Sequence, residues 1–179
     1  MKKTIMLPLL LLLIFSSCSS QEADNDNRFY VQIEDTRFYP RYSHRDDVEA
    51  LLGPPSSYQF FEQGGEGFYW FDFTVWRYEE GMLLFHFSEE GNIIRITVNS
   101  NYSKNVYVFG RGLNELNHST VTHLLGQADI DIFNSTEDFI GSVKYDSTGS
   151  RPYVFFWFDD ESNISWFSFD YDRPWIEDR

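Results

Sequence analysis

Apolar and polar positions alternate along most of this chain and take up a helical rhythm in two places, which carry the same word. Val48-Glu49-Ala50-Leu51-Leu52-Gly53-Pro54-Pro55 returns as Val121-Thr122-His123-Leu124-Leu125-Gly126-Gln127-Ala128. Wound as a helix, Val and the two leucines stand at i, i+3 and i+4 and share one face. Gly follows the last apolar residue, where a helix ends most cheaply in a left-handed turn, and Pro54 blocks continuation of the first. Ser43 or His44 is placed to cap that helix, with Asp46 and Asp47 favourable to its dipole. Asn117 or Ser119 is placed to cap the second.

The alternating stretches predict strands. In the first half they run from Arg28 to Ile33, Phe68 to Tyr78, Met82 to Phe87 and Ile93 to Val98. Asn99 to Asn105 is a polar connector. In the second half they run from Val106 to Phe109, Asp129 to Phe133, Phe139 to Tyr145, Tyr153 to Phe158 and Ile164 to Phe169. Gly- and Asn-containing turns separate them. The last hairpin of each half also matches: Phe85-His86-Phe87-Ser88-Glu89-Glu90-Gly91-Asn92-Ile93 aligns with Phe156-Trp157-Phe158-Asp159-Asp160-Glu161-Ser162-Asn163-Ile164. Phe, Phe, Glu, Asn and Ile recur in place. The pattern predicts an α+β fold of two tandem repeats, 28–103 and 104–179. Each is a helix (or helix pair) packed on one face of an antiparallel meander.

The beginning of the chain is of another kind. Met1-Lys2-Lys3 leads into a short apolar run ending at Phe15, too short for a membrane span of about 20 residues. Residues 1–17 read as a secretory signal. Ser16-Ser17-Cys18 resembles the lipobox of bacterial lipoproteins, although Phe15 stands where Leu is usual. That resemblance implies cleavage before Cys18, diacylation of its sulfur and acylation of its amino group. Cys18 is the one cysteine of the chain, so no intramolecular disulfide can form. Residues 18–27, small, polar and acidic, read as a flexible tether. The expected address is the bacterial cell envelope, lipid-anchored and extracytoplasmic, the outer membrane rather than the inner.

A formal charge of −14 disfavours nucleic acid and anionic headgroups as partners, and no nucleic-acid partner is expected. Aromatic residues make up 19% of the chain, which argues against disorder and for a β-rich body.

A helix, then Leu-Leu-Gly-Pro, then a meander ending in Phe-x-Phe-x-x-x-Gly-x-Ile resembles a known unit. It is similar to the fold shared by the β-lactamase inhibitory protein and the SmpA/OmlA family, the small lipoprotein of the outer-membrane assembly complex. The resemblance covers residues 29 to 171. It implies helices on one face of an antiparallel sheet, with the other face of the sheet gripping a protein. The chain differs in lacking the inhibitor's disulfides and the Gly-Met-Thr that opens the family's helix.

Alternation assigns the faces. Phe85, Phe87, Phe156 and Phe158 read as core beneath the helices, together with Ile94, Ile96, Val98, Phe167 and Phe169. The opposite face then carries Leu84, His86 and Arg95 in the first half and Tyr153, Phe155, Trp157 and Trp166 in the second, with Trp70 and Trp76 as possible additions. Such a face should be polar toward water; this one is aromatic, and large aromatic patches mark interaction surfaces. Tyr153, Phe155, Trp157, Trp166, His86 and Arg95 are therefore the expected partner-binding residues.

Enzymatic chemistry finds little support. His118 and His123 are wrongly spaced for one helical face, and no zinc-type cluster occurs. Asp129 with Asp131, and Asp159-Asp160-Glu161, read as solvated carboxylates rather than an acid–base pair. Gly64-Gly65-Glu66-Gly67 lacks the Lys and the helix of a phosphate loop. The expectation is a non-catalytic lipoprotein without metal or cofactor that binds a protein, as an enzyme inhibitor or an envelope-assembly accessory. The alternative is glycan or small-ligand binding, with Trp157 and Trp166 as stacking platforms; a hydrolase comes last.

Overall fold

Among the described residues eight strands form one antiparallel sheet in which the two halves of the chain meet. The computed structural model describes residues 30–62, 71–126, 130–132, 142–145 and 153–170, of which 130–132 and 142–145 are described by backbone alone. Its strands are β1 (Val31–Ile33), β2 (Thr36–Phe38), β3 (Ser57–Phe61), β4 (Phe73–Tyr78), β5 (Leu83–Ser88) and β6 (Ile93–Asn99), then β7 (Val106–Val108), β8 (Arg111–Gly112), β9 (Ile130–Ile132), β10 (Ser142–Tyr145), β11 (Tyr153–Phe158) and β12 (Ile164–Asp170). The large sheet has the order β3-β4-β5-β6-β12-β11-β10-β9, and β2-β1-β7-β8 form a second, smaller one. Both sheets draw strands from both halves. The signal segment 1–17, Cys18, the tether 18–27, the Gly64–Gly67 turn, Trp70 and Asp129 lie outside the described residues.

Each repeated word forms a helix of eight residues, α1 (Arg45–Leu52) and α2 (His118–Leu125). His44 caps α1: its Nδ1 accepts from the Asp46 N–H, and the Asp47 carboxylate accepts from the His44 N–H at 2.8 Å. Asn117 caps α2, exchanging bonds with Thr120 at 2.9 and 2.7 Å. Both caps bridge to a turn asparagine of the last hairpin of their half, His44 to Asn92 between β5 and β6 and Asn117 to Asn163 between β11 and β12. Gly53 and Gly126 end the helices at φ 76° and 85° with ψ near 180°. This is a region essentially restricted to glycine, and it is more extended than the left-handed turn the sequence suggests.

One face of the large sheet carries the main core. Phe85, Phe87, Ile96, Val98, Phe156, Phe158, Phe167 and Phe169 are buried there under Val48 of α1, Val121 of α2, and Val31, Ile33, Phe38 and Val108 of the small sheet. Phe38 meets Phe85 edge to face at 5.4 Å. Each fully buried side chain of this size contributes about 1.5–3 kcal/mol. Leu51, Leu52 and Leu125 pack only partly, and Leu124 is exposed.

The expected α+β architecture of tandem helix-on-meander units is overturned. The fold is mainly β, two antiparallel sheets with only two helices among the described residues. An eight-residue helix is about 12 Å long, too short to roof a sheet. The small sheet completes the roof, with strands of two or three residues that alternation cannot reveal. The two meanders do not stand apart but join edge to edge, β6 to β12, through five residue pairs from Arg95–Asp170 to Asn99–Trp166.

Two face assignments also change. A bulge after His86 pairs Phe87 with Ile93, which sends Ile93 into the main core and Ile94 to the opposite face. The same irregularity after Trp157 pairs Phe158 with Ile164. Trp76, paired with Phe85, lies on the main core side and packs edge to face on Phe87 at 5.0 Å.

Candidate functional site

The face of the large sheet away from the helices divides into three zones. On β11, Tyr153, Phe155 and Trp157 alternate with the buried Val154, Phe156 and Phe158, as period two requires. The three outward rings are partly exposed. Phe155 and Trp157 stack, with centroids 5.8 Å apart and planes 20° from parallel. Trp166 of β12, also partly exposed, stands directly opposite Trp157. The structure therefore brings together four of the six sequence-expected binding residues as one aromatic strip.

The second zone is the polar seam between β12 and β6. Thr97 and Ser168 share a hydrogen bond of 3.0 Å between their hydroxyls. The Arg95 Nε donates to Asp170 Oδ2 at 2.9 Å. Asp170 is wholly inaccessible and Ser168 is buried. Arg95 itself has only 12% of its side chain accessible.

Beyond the seam lies a second apolar cluster, Phe61, Phe73, Val75 and Ile94, with Phe71 against it. Phe61 stacks on Phe73 at 4.8 Å, and His86 stacks on Phe73 at 5.8 Å with planes 8° apart. His86 is buried, which pushes its pKa well below the usual 6.5; the nearby Arg95 and Arg77 guanidiniums add to the effect.

His86 and Arg95 do point to the predicted face, but His86 is buried and Arg95, largely covered, is turned into its ion pair. His86 is a neutral ring in a small core, and Arg95 is one half of an internal ion pair. Sequence reasoning missed this second core because it depends on the bulge that turns Ile94 over. The alternation of Phe73 with Val75 was the available signal.

Other groups with unusual environments serve structure. The Tyr78 hydroxyl donates to the Gly53 carbonyl at 3.1 Å, tying down the end of α1. Burial, with Glu49 nearby, raises its pKa to about 12. Burial, then the charge of Glu79, raises that of Tyr102 further. The connector between β6 and β7 is held by two carboxylates: Glu79 accepts from the Ser103 N–H at 3.0 Å and Glu34 from the Asn105 N–H at 3.2 Å. A polar cleft of about 260 Å³ lies there, lined among others by Asn99, Lys104, Asn105 and Glu115. Among the described residues no three His, Cys, Asp or Glu side chains converge as a metal site would need. Asp159 accepts from the Glu161 and Asn163 N–H groups and so builds its own turn.

No protein-family model matches the chain, and no curated protein matches it. Among solved structures it is similar to a DUF4309 family protein, YjgB, from Bacillus subtilis, at 17% identity and a TM-score of 0.42, over 75% of this chain and 82% of that one.

Proposed function

We propose that this is a non-catalytic lipoprotein of the bacterial cell envelope that binds a protein partner through Tyr153, Phe155, Trp157 and Trp166. Acylation of Cys18 anchors it to the membrane, the outer one by preference, and the acidic tether lets the folded part reach its partner. Inhibition of a secreted or periplasmic enzyme and an accessory role in envelope assembly are the two forms this takes. The observation that carries the reading is the aromatic strip itself. The outward face of an antiparallel sheet is ordinarily polar, and here four partly exposed aromatic rings stand together on two paired strands. Rigid rings of this kind dominate binding energy because they bury much area and lose little entropy.

The test is affinity capture from the native envelope with the wild-type chain and with Trp157→Ala plus Trp166→Ala. The expected result is loss of a specific protein in the double variant while the β-sheet circular dichroism is kept. Retention of every captured protein would sink the reading. Capture of glycan rather than protein, lost in the same variant, would favour the stacking platform that the Trp157–Trp166 pair also offers. Loss of palmitate labelling in Cys18→Ala tests the anchor; persistent labelling removes it.

A further inference from the structure

The opposite end and opposite face of the large sheet hold a different surface. Among the described strands β3 ends the sheet order and has a hydrogen-bonded neighbour, β4, on one side only. Ser57, Tyr58, Gln59 and Phe60 are all exposed, Tyr58 at 71% and Phe60 at 55%. Edge strands are normally guarded against pairing by a Lys, an internal Pro or a bulge. β3 is Ser-Tyr-Gln-Phe-Phe, without charge or Pro, and its pairing with β4 is regular throughout. Tyr58 and Phe60 are two apart and so point the same way. With Trp76 and Thr74 opposite them on β4, and Arg45 and Glu49 on the α1 wall, they line an open groove of about 470 Å³.

We propose that the β3 edge is the docking site of an extended, net-basic segment of another polypeptide, added as a further strand. Main-chain hydrogen bonds to β3 supply its affinity. Its alternate apolar side chains lie beside Tyr58 and Phe60, whose spacing matches the period of an extended chain. The groove is within the roughly 300–1,000 Å³ range of ligand sites. Charge selects the occupant: a chain of formal charge −14 draws cationic segments, and around the groove Glu49 on its wall and exposed Glu62 just beyond β3 outnumber Arg45. A second copy fits poorly. Two such acidic chains repel, and edge-to-edge pairing would double an eight-stranded sheet when open twisted sheets rarely exceed about 10 strands. This site stands independently of the Tyr153–Trp166 strip.

The experiment titrates the full chain into a fluorescein-labelled peptide of alternating Lys and Val and reads anisotropy. Three comparisons run beside it: the peptide N-methylated at alternate residues, a peptide of the same composition with Lys and Val in blocks, and the protein variant Tyr58→Ala plus Phe60→Ala. The expected result is binding that weakens at least tenfold in each comparison, with amide shifts confined to Ser57–Phe61 and the groove. Because the methylated peptide meets an unaltered protein, that arm stands whatever the double variant does to folding. Absence of binding overturns the proposal. Equal affinity for the methylated or block peptide overturns it in favour of bare charge attraction. A wild-type dimer in sedimentation that the double variant dissolves overturns it in favour of a second copy.

Discussion

Arg95 and Asp170 meet across the seam where β6 pairs with β12, 75 residues apart in the chain, with the carboxylate wholly inaccessible. A carboxylate so buried depends on the guanidinium beside it. Removing one partner of a buried pair costs about 3–5 kcal/mol, whereas an exposed pair is worth about 1 kcal/mol or less. Arg95→Met should therefore lose on the order of 3 kcal/mol in urea unfolding. Arg95→Lys should recover only part of it, since a flexible ammonium cannot reproduce the planar guanidinium that sets Nε and Nη2 together on Asp170 Oδ2. A loss under about 1 kcal/mol for Arg95→Met would show that solvent reaches the seam.

His86 gives the fold a dependence on acid. Burial foremost, then Arg95 and Arg77, hold its pKa well below 6.5 in the folded state. Below about pH 6.5 the unfolded chain takes up a proton that the folded chain refuses, so the unfolded state binds more protons and stability falls as pH falls. Above that pH the contribution is fully present. His86→Phe keeps the ring stacked on Phe73 and cannot titrate. Between about pH 7 and pH 5 it should lose less stability than the wild type in chemical denaturation. Parallel losses in the two proteins would assign the acid sensitivity elsewhere.

These two residues also show what the sequence discloses and what it hides. Alternation put His86 and Arg95 on the right face, because period two survives as long as a strand is regular. It could not show that the face is covered there. The bulge after His86 shifts parity by one residue and delivers Ile94 to Phe73 and Val75; nothing in the local sequence announces a bulge. The helices, their caps as a choice of two residues each (Ser43 or His44, Asn117 or Ser119) and the hairpin of β11 with β12 were legible because each rests on local chemistry. β3 was not, since Ser57 through Phe60 are all exposed, polar and aromatic alike, and show no inside–outside contrast. Nor was the small sheet, or the joining of β6 to β12, which is a long-range pairing without a local signature.

The repeated helical word makes a graded prediction. Val48 and Val121 occupy its first place and are inaccessible or nearly so, Leu51, Leu52 and Leu125 are partly buried, and Leu124 is 38% exposed. Truncating a fully buried Val removes two methyl groups and leaves a cavity, so Val48→Ala and Val121→Ala should each cost about 2 kcal/mol. Leu124→Ala should cost under about 1 kcal/mol although it deletes more atoms. Equilibrium unfolding of the three variants tests this order. If Leu124→Ala is the most damaging, α2 does not present the face described.

His44 and Gly91 make the most local prediction. The His44 ring lies across Gly91, its Nε2 3.0 Å from the Glu90 carbonyl, while the Arg45 N–H donates to the Gly91 carbonyl at 2.9 Å. Gly91 has φ +88°, and a methyl group there would collide with the imidazole. Gly110 has φ +74° in open space. Gly110→Ala should thus cost only the backbone strain, about 1 kcal/mol, and Gly91→Ala about 1–3 kcal/mol more. His44→Asn separates strain from collision, because Asn is the residue that caps α2 from the equivalent position. In that background Gly91→Ala should become milder, and a double-mutant cycle should return an interaction energy of about 1 kcal/mol or more. If Gly91→Ala costs the same whether His or Asn stands at position 44, backbone strain alone accounts for the glycine and the ring contact contributes nothing.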